Sequence, residues 1–272
     1  MNLALRAPQE TIMSIFFSEQ TLQQENRMPT ILAIGDSWFW YLFPGGSLTS
    51  YLGPIVDKKD HVILAKGMNG AEAFDYVDGK YKKDIIQALK LYGSGLSAVF
   101  ISGGGNDFAG FNDMRPLLKL DCTGATTAAD CFRAGDGGLS DFLERMELYY
   151  RTLIGRIYTY TSVDCYIIMH TYDYAIPDGR GVFGKAGWLK PALSDAGVPE
   201  ALQQDCVRYL LDAFHEMLKT VAALDKKHLL IVDSLGTLGP DDWANELHPK
   251  GKGFKKIAKE RWALVLKSIN LA

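Results

Sequence analysis

Three side chains in this chain have the types that acyl-transfer chemistry needs, and they lie far apart in sequence. Ser37 stands in I-L-A-I-G-D-S-W-F-W-Y, Ile31 to Tyr41. Asn106 stands in I-S-G-G-G-N-D-F, Ile101 to Phe108, and His248 in D-D-W-A-N-E-L-H-P-K-G, Asp241 to Gly251. A serine hydroxyl is a weak nucleophile at neutral pH and needs a base within hydrogen-bond reach. An imidazole has the intrinsic pKa for that task. A free amide beside a run of three glycines can approach a reacting carbonyl and meet the charge that develops on its oxygen. Each residue also has a local reading. Asp36 or Ser37 can cap a following helix, and so can Asn106 or Asp107; a lone histidine is most often a surface or satisfied core residue.

The elements around them decide between these readings. Five short apolar runs are bounded by Gly, Asn or Asp: Thr30–Ile34, His61–Ala65, Ser97–Ser102, Cys165–His170 and His228–Val232. Runs this short and this apolar read as strands of a parallel sheet covered on both faces. Helical periodicity fills the intervals at Lys80–Tyr92, Leu139–Tyr160, Pro199–Leu224 and Lys250–Ile269. Alternation of the two is the pattern of a doubly wound α/β sheet. In such sheets ligands bind beyond the carboxyl ends of the strands. Ser37 follows the first run, Asn106 the third and His248 the fifth, so all three are expected at one sheet edge. Two irregular segments, residues 110–138 and 172–197, interrupt the alternation, and loops of that length are usually functional or disordered.

Composition narrows the field. The chain has 272 residues, 47% of them apolar, with a formal net charge of −3. That is enough for one sizeable domain, and it asks for neither nucleic acid nor an anionic membrane. No apolar run approaches the roughly 18 residues of a membrane span. Residues 1–28 read as an N-terminal extension, partly ordered at best, and lack the pattern of a secretory signal; residues 29–272 read as a single domain. Of four cysteines, Cys165 and Cys206 look like buried thiols. Cys122 and Cys131 bracket one loop and are placed to tie it by a bridge, outside the chemistry. Neither a metal pair nor a disulfide framework emerges, so the cytoplasm is the default compartment, with secretion left open.

Other motifs fail on inspection. Gly179–Gly184 reads G-R-G-V-F-G and is followed by Lys185, close to a phosphate-binding loop, but no strand feeds it and Ala186 stands where a metal-binding hydroxyl belongs. His215-Glu216 has no second histidine four residues on, which removes H-E-x-x-H zinc chemistry. No G-x-S-x-G elbow is present.

Taken together, Gly35-Asp36-Ser37, Gly105-Asn106-Asp107 and His248-Pro249, in this order and spacing, resemble the SGNH (GDSL-type) serine hydrolases. The likeness runs from about Ile31 to Ile257. It implies a flavodoxin-like α/β/α sandwich with five parallel strands in the order 2-1-3-4-5. It also implies Ser37 as nucleophile, His248 as base, and an oxyanion hole from the Ser37 and Gly70 backbone amides with the Asn106 side chain. No metal or cofactor is implied; the partner is a small-molecule ester with a small or medium acyl group. A carbohydrate O-acetylesterase, a lysophospholipase and a catalytically weak binding protein are the rivals. One departure stands out. The family usually has Asp three residues before the histidine, and here Asn245 holds that place. Asp241, Asp242 and Glu246 are close enough in sequence to serve instead, Asp242 being the named alternative. Trp38, Phe39, Trp40 and Tyr41 follow the serine, and Trp40 or Tyr41 is a candidate pocket wall. Tyr172 is a further candidate substrate contact, in a stretch whose His170, Tyr172, Asp173 and Tyr174 either meet substrate or anchor the loop.

Overall fold

The computed structural model describes residues 14–40 and 46–272. Tyr41 lies outside the described residues. In chain order the elements are β1 (Ile15–Phe16), α1 (Glu19–Gln24), β2 (Ile31–Gly35), α2 (Ser37–Trp40), α3 (Leu48–Val56), β3 (Ile63–Gly67), α4 (Ala73–Val77) and α5 (Lys82–Tyr92). Then follow β4 (Ala98–Ile101), α6 (Phe111–Met114), α7 (Leu139–Tyr160), β5 (Tyr166–His170), α8 (Lys190–Asp195), α9 (Glu200–Ala222), β6 (Leu229–Val232), α10 (Gly251–Ile257) and α11 (Ala263–Ser268).

Among the described residues the sheet is parallel throughout and has six strands in the order β1-β3-β2-β4-β5-β6. This corrects the expected five strands in the order 2-1-3-4-5. The extra edge strand, Ile15–Phe16, comes from the segment that the sequence assigned to an N-terminal extension. Two residues are too few to show a strand pattern. What holds them is tertiary: Ile15 pairs with Ile63 and packs where Gly53 of α3 has no side chain. Without this strand the remaining five follow the expected order.

Strands β2 and β4 are buried along their whole length, as near-continuous apolar runs should be in a sheet covered on both faces. Helices α4, α5, α7 and α9 pack together on one side, and α3, α10 and α11 on the other. The last helical stretch is not continuous: a single π turn, Ala258–Trp262, separates α10 from α11 and carries the fully buried Trp262.

Register sets up the site. Gly35 at the end of β2 is level with Gly67 at the end of β3, and Ile34 with Ile101 at the end of β4. The turns that begin at Asp36, Met68 and Ser102 therefore leave the sheet at one edge.

The segment 110–138 is tied by an antiparallel bridge, Leu118 to Phe132, and by Arg115, whose Nε lies 2.7 Å from Asp195 of α8. The expected disulfide tie is absent. Cys122 and Cys131 are free buried thiols, with Cys122 Sγ 3.4 Å from the Cys131 carbonyl. The two thiols lie within hydrogen-bond reach of each other without a bond between the sulfurs, and burial raises the pKa of Cys122.

Candidate active site

Asp36, immediately after β2, decides how the next turn folds. Its Oδ1 accepts the Trp38 amide at 2.9 Å and the Ser102 hydroxyl at 2.9 Å, and Oδ2 accepts the Tyr172 hydroxyl. The amide of Trp38 is the second of α2, so Asp36 is the side chain that caps the helix. Ser37 is thereby released from capping. Its Oγ lies 2.8 Å from His248 Nε2. Burial raises the Asp36 carboxyl to about 6, with the Tyr172, Trp38 and Ser102 donors pulling the other way.

His248 reaches Ser37 from the turn before α10. That turn is closed by an antiparallel bridge between Trp243 and Pro249 and by the Ala244 amide on the His248 carbonyl. Asn245 Oδ1 takes three contacts: the amide of Leu247 at 3.0 Å, the amide of His248 at 2.9 Å and His248 Nδ1 at 3.0 Å. Backbone N–H groups only donate, so the atom facing them is the amide oxygen and not its nitrogen. An oxygen without a proton can only accept, and Nδ1 must carry the imidazole hydrogen. Nε2 is then the unprotonated nitrogen and accepts from the Ser37 hydroxyl. Burial pulls the His248 pKa down to about 4, so the ring is neutral at pH 7.

Of the three acids of this turn, Asp241 is exposed, and the other two have partners of their own. Asp242 Oδ2 accepts the Gly239 amide at 3.0 Å, and its carboxylate lies 3.4 Å from Lys252 and 3.8 Å from Lys256. The Gly239 amide, together with these lysines, holds it below the usual carboxylate range. Glu246 is fully buried and takes four backbone amides: Gly179 at 2.8 Å, Leu189 at 2.7 Å, Lys190 at 3.1 Å and Trp188. The acceptor at His248 Nδ1 is thus a neutral amide.

Asn106 follows the glycine run after β4. Gly104 has φ +99, a conformation that glycine adopts without steric penalty, and at Gly105 a Cβ would meet the Tyr172 ring at 2.8 Å. Asn106 Nδ2 donates to the Ala71 carbonyl at 2.9 Å. That bond uses one of its two hydrogens and orients the second. It also links Asn106 to the turn after β3, where Gly70 has φ +79. The peptides of the glycine run are held from below: the Tyr76 hydroxyl donates to the Ser102 carbonyl at 3.0 Å and that of Tyr150 to the Gly103 carbonyl at 2.9 Å. Asp107 accepts the Ala73 amide at 2.9 Å, and burial lifts its carboxyl to about 7.

Ser37 and Asn106 open on a small cleft. Its apolar walls come from Trp38, Phe108, Ala175, Leu211, Trp243 and Leu247. Tyr172 also lines it, edge-on to Trp38 at 5.1 Å. Trp40 does not line this cleft and packs against Phe17 at 4.6 Å. His170 is fully buried between Trp38 and Phe39, with Nδ1 on the Thr171 carbonyl at 2.7 Å. Asp173 accepts the amides of Tyr174, Gly236 and Leu238, which makes it an anchor of the loop after β5. Among the described residues no group of three or more His, Cys, Asp or Glu is arranged to hold a metal, and no helix is long and apolar enough to cross a membrane.

The ties from Tyr172 and Ser102 to Asp36, and from Glu246 to the loop amides, have no signature in sequence spacing. The capping by Asp36 has one: an Asp two residues before the second amide of a helix.

No family model and no curated protein sequence matches this chain. Solved structures do. An active-site mutant of a family two carbohydrate esterase from Clostridium thermocellum matches with a TM-score of 0.52 at 13% identity, over 88% of this chain and 63% of that one. A protein of Agrobacterium tumefaciens str. C58, described provisionally as an arylesterase, matches with a TM-score of 0.50 at 14% identity, over 89% and 100%. An extracellular lipase from Streptomyces rimosus is similar at 17% identity and a TM-score of 0.49, over 89% and 99%. The chain shares the parallel α/β fold of the carbohydrate esterase and the Agrobacterium protein. At these identities the likeness concerns the fold.

Proposed function

We propose that the protein is a serine ester hydrolase that works through an acyl-enzyme on esters with a small or medium acyl group. The observation that carries this is the Ser37–His248–Asn245 chain of contacts, ending in an apolar cleft. As Ser37 Oγ attacks the ester carbonyl carbon, its proton passes to His248 Nε2. The carbonyl oxygen becomes an oxyanion, which the Ser37 and Gly70 amides and Asn106 Nδ2 are proposed to receive. Ser37 opens α2, so its N–H is among those that a helix leaves without an internal partner. Each such donor is typically worth roughly 3–4 kcal/mol of transition-state stabilisation. Collapse breaks the bond to the alcohol, which leaves with the proton from Nε2. Water then attacks the acyl carbon as it gives a proton to Nε2, and collapse breaks the bond to Ser37 Oγ, which takes that proton back as the acid leaves. The cleft walls are apolar, which favours an aliphatic acyl group there and leaves the alcohol to the open side.

A fluorophosphonate probe tests the reading. It should label Ser37 in the parent protein and fail to label Ser37→Ala. Hydrolysis of a short p-nitrophenyl ester by the Ser37→Ala protein should fall by several orders of magnitude, since the nucleophile is gone. Retention of more than about a tenth of parent activity, a change of only 1.4 kcal/mol, would leave Ser37 a structural residue. An unlabelled parent would favour a binding protein on this fold.

A further inference from the structure

The glycine-rich stretch G-R-G-V-F-G fails as a phosphate loop, yet the backbone around it does bind an anion. The anion is the protein's own. Oε1 of Glu246 accepts the amides of Gly179 and Lys190, and Oε2 those of Trp188 and Leu189. Every one of the four is a backbone N–H, which charge-assisted bonding to a carboxylate satisfies well. Gly187 is part of the fit, because a Cβ there would run into the Glu246 carboxylate. The tie is returned once, by the Glu246 amide on the Arg180 carbonyl at 3.0 Å. Both ends of the 179–190 segment are therefore fastened to one side chain, two residues before His248.

The fastening puts Trp188 over the imidazole. The two ring centroids are 5.8 Å apart at an interplanar angle of 77°, an edge-to-face contact. His248 is 8% exposed. We infer that Glu246 is a positioning residue, which anchors the 179–190 segment as a cover that holds Trp188 against the His248 ring and keeps bulk water from the face it covers. This rests on the reading of His248 as the base, but it concerns the resting protein and can be measured without turnover. The cover leaves His248 with a low proton affinity, because a charged ring in a dry site loses its hydration. That agrees with the burial-driven pKa of about 4. Among the described residues, Ser37 from α2, Asn245 from its own turn and Trp188 from the cover face the ring, and none is charged. The carboxylates of the neighbouring turns, Asp36 and Glu246, are taken up by donors of their own.

The experiment is the NMR titration of the His248 ring in full-length protein, with fluorophosphonate labelling of Ser37 run alongside. Trp188→Ala opens the ring to water, and its pKa should climb from about 4 toward the ordinary 6.5. Trp188→Phe, which keeps an aromatic edge, should return it most of the way. Glu246→Gln should raise it as Trp188→Ala does. Should that variant fail to fold, the Trp188 pair decides alone. An unmoved His248 titration in Trp188→Ala overturns the cover, whatever the labelling shows. Absent labelling with a moved titration would defeat the esterase reading and leave the cover standing.

Discussion

Two turns flank the Ser37–His248 contact, and each is built on a buried carboxylate, but the two carboxylates are satisfied in different ways. Asp36, beside Ser37, receives one backbone amide and two hydroxyls, from Ser102 and Tyr172. Glu246, two residues before His248, receives four backbone amides. A hydroxyl can turn round and accept, whereas a backbone N–H can only donate. The Asp36 site therefore tolerates a proton or an amide hydrogen, and the Glu246 site does not. Neither carboxylate reaches His248 Nδ1, which faces the neutral Asn245. Here the buried negative charges fix the backbone of the two turns, and the imidazole acceptor is left uncharged.

The sharpest way to break this contrast is a pair of isosteric changes. Glu246→Gln places an NH₂ group against two N–H donors that have no other acceptor. Leaving two buried donors unpaired costs about 1–3 kcal/mol each, so the loss should be about 2–6 kcal/mol. Asp36→Asn keeps an oxygen for the Trp38 amide, and its NH₂ can donate to the reversed Tyr172 hydroxyl. Its cost should be near 1 kcal/mol. Urea unfolding of the two variants checks the order, and equal losses would erase the distinction.

The pH dependence sharpens it further, at a smaller effect. The folded pKa of Asp36, about 6, lies above its unfolded value near 3.8. The stability it contributes is fully present below the unfolded value and is lost as pH rises through about 6. Asn cannot titrate. Unfolding free energies of the parent and Asp36→Asn should therefore diverge between pH 4 and 6, with the parent gaining on acidification relative to the variant. The histidines act oppositely, since burial holds His170 and His248 near 4 against an ordinary 6.5. The folded state resists their protonation, so their part of the stability falls as pH drops through that window. Because the histidines are common to both proteins, the difference curve isolates Asp36.

What the sequence revealed follows the same division. The strand runs, the helix intervals and the three separated motifs were legible because apolar periodicity and residue type are local properties. Register then brought Ser37, Asn106 and His248 to one edge, as strand-end placement predicts. The two-residue β1 was not legible, since its support comes from β3 and α3 and not from its own pattern. Trp40 read as a pocket wall from its place after the serine, but a helix turn points it at Phe17. The Glu246 anchor was hidden for a different reason. Its partners are backbone amides, and a backbone amide has no letter in the sequence. Gly187, which makes room for the carboxylate, lies outside the G-R-G-V-F-G stretch that resembled a site for a foreign anion.

Asn245 is where the two turns meet the chemistry, and its replacement should have the smallest effect of all on the architecture. Its oxygen already takes three donors. Asn245→Asp keeps an oxygen at that point and adds a negative charge beside the imidazole. The charge favours the imidazolium, so the base pKa should move upward from about 4. It also favours the ion pair that forms when Ser37 gives up its proton. In the serine protease template the reverse change, Asp to Asn, costs roughly 10⁴ in kcat because the tautomer is wrong. That penalty does not apply here, since the two backbone amides already fix the Asn245 oxygen toward the ring and so select the working tautomer. Only the electrostatic part remains to be gained, and kcat should hold or rise. Burying the charge works against it, offset by the three donors that await it. Asp242→Ala is the control. It loses two weak lysine contacts and the Gly239 amide, features worth about 1 kcal/mol of stability, and kcat should stay within about a factor of three. The pH–rate profiles of both variants decide the matter: if Asp242→Ala falls as far as His248→Ala does, the acid of this site is Asp242, and Asn245 only shapes its turn.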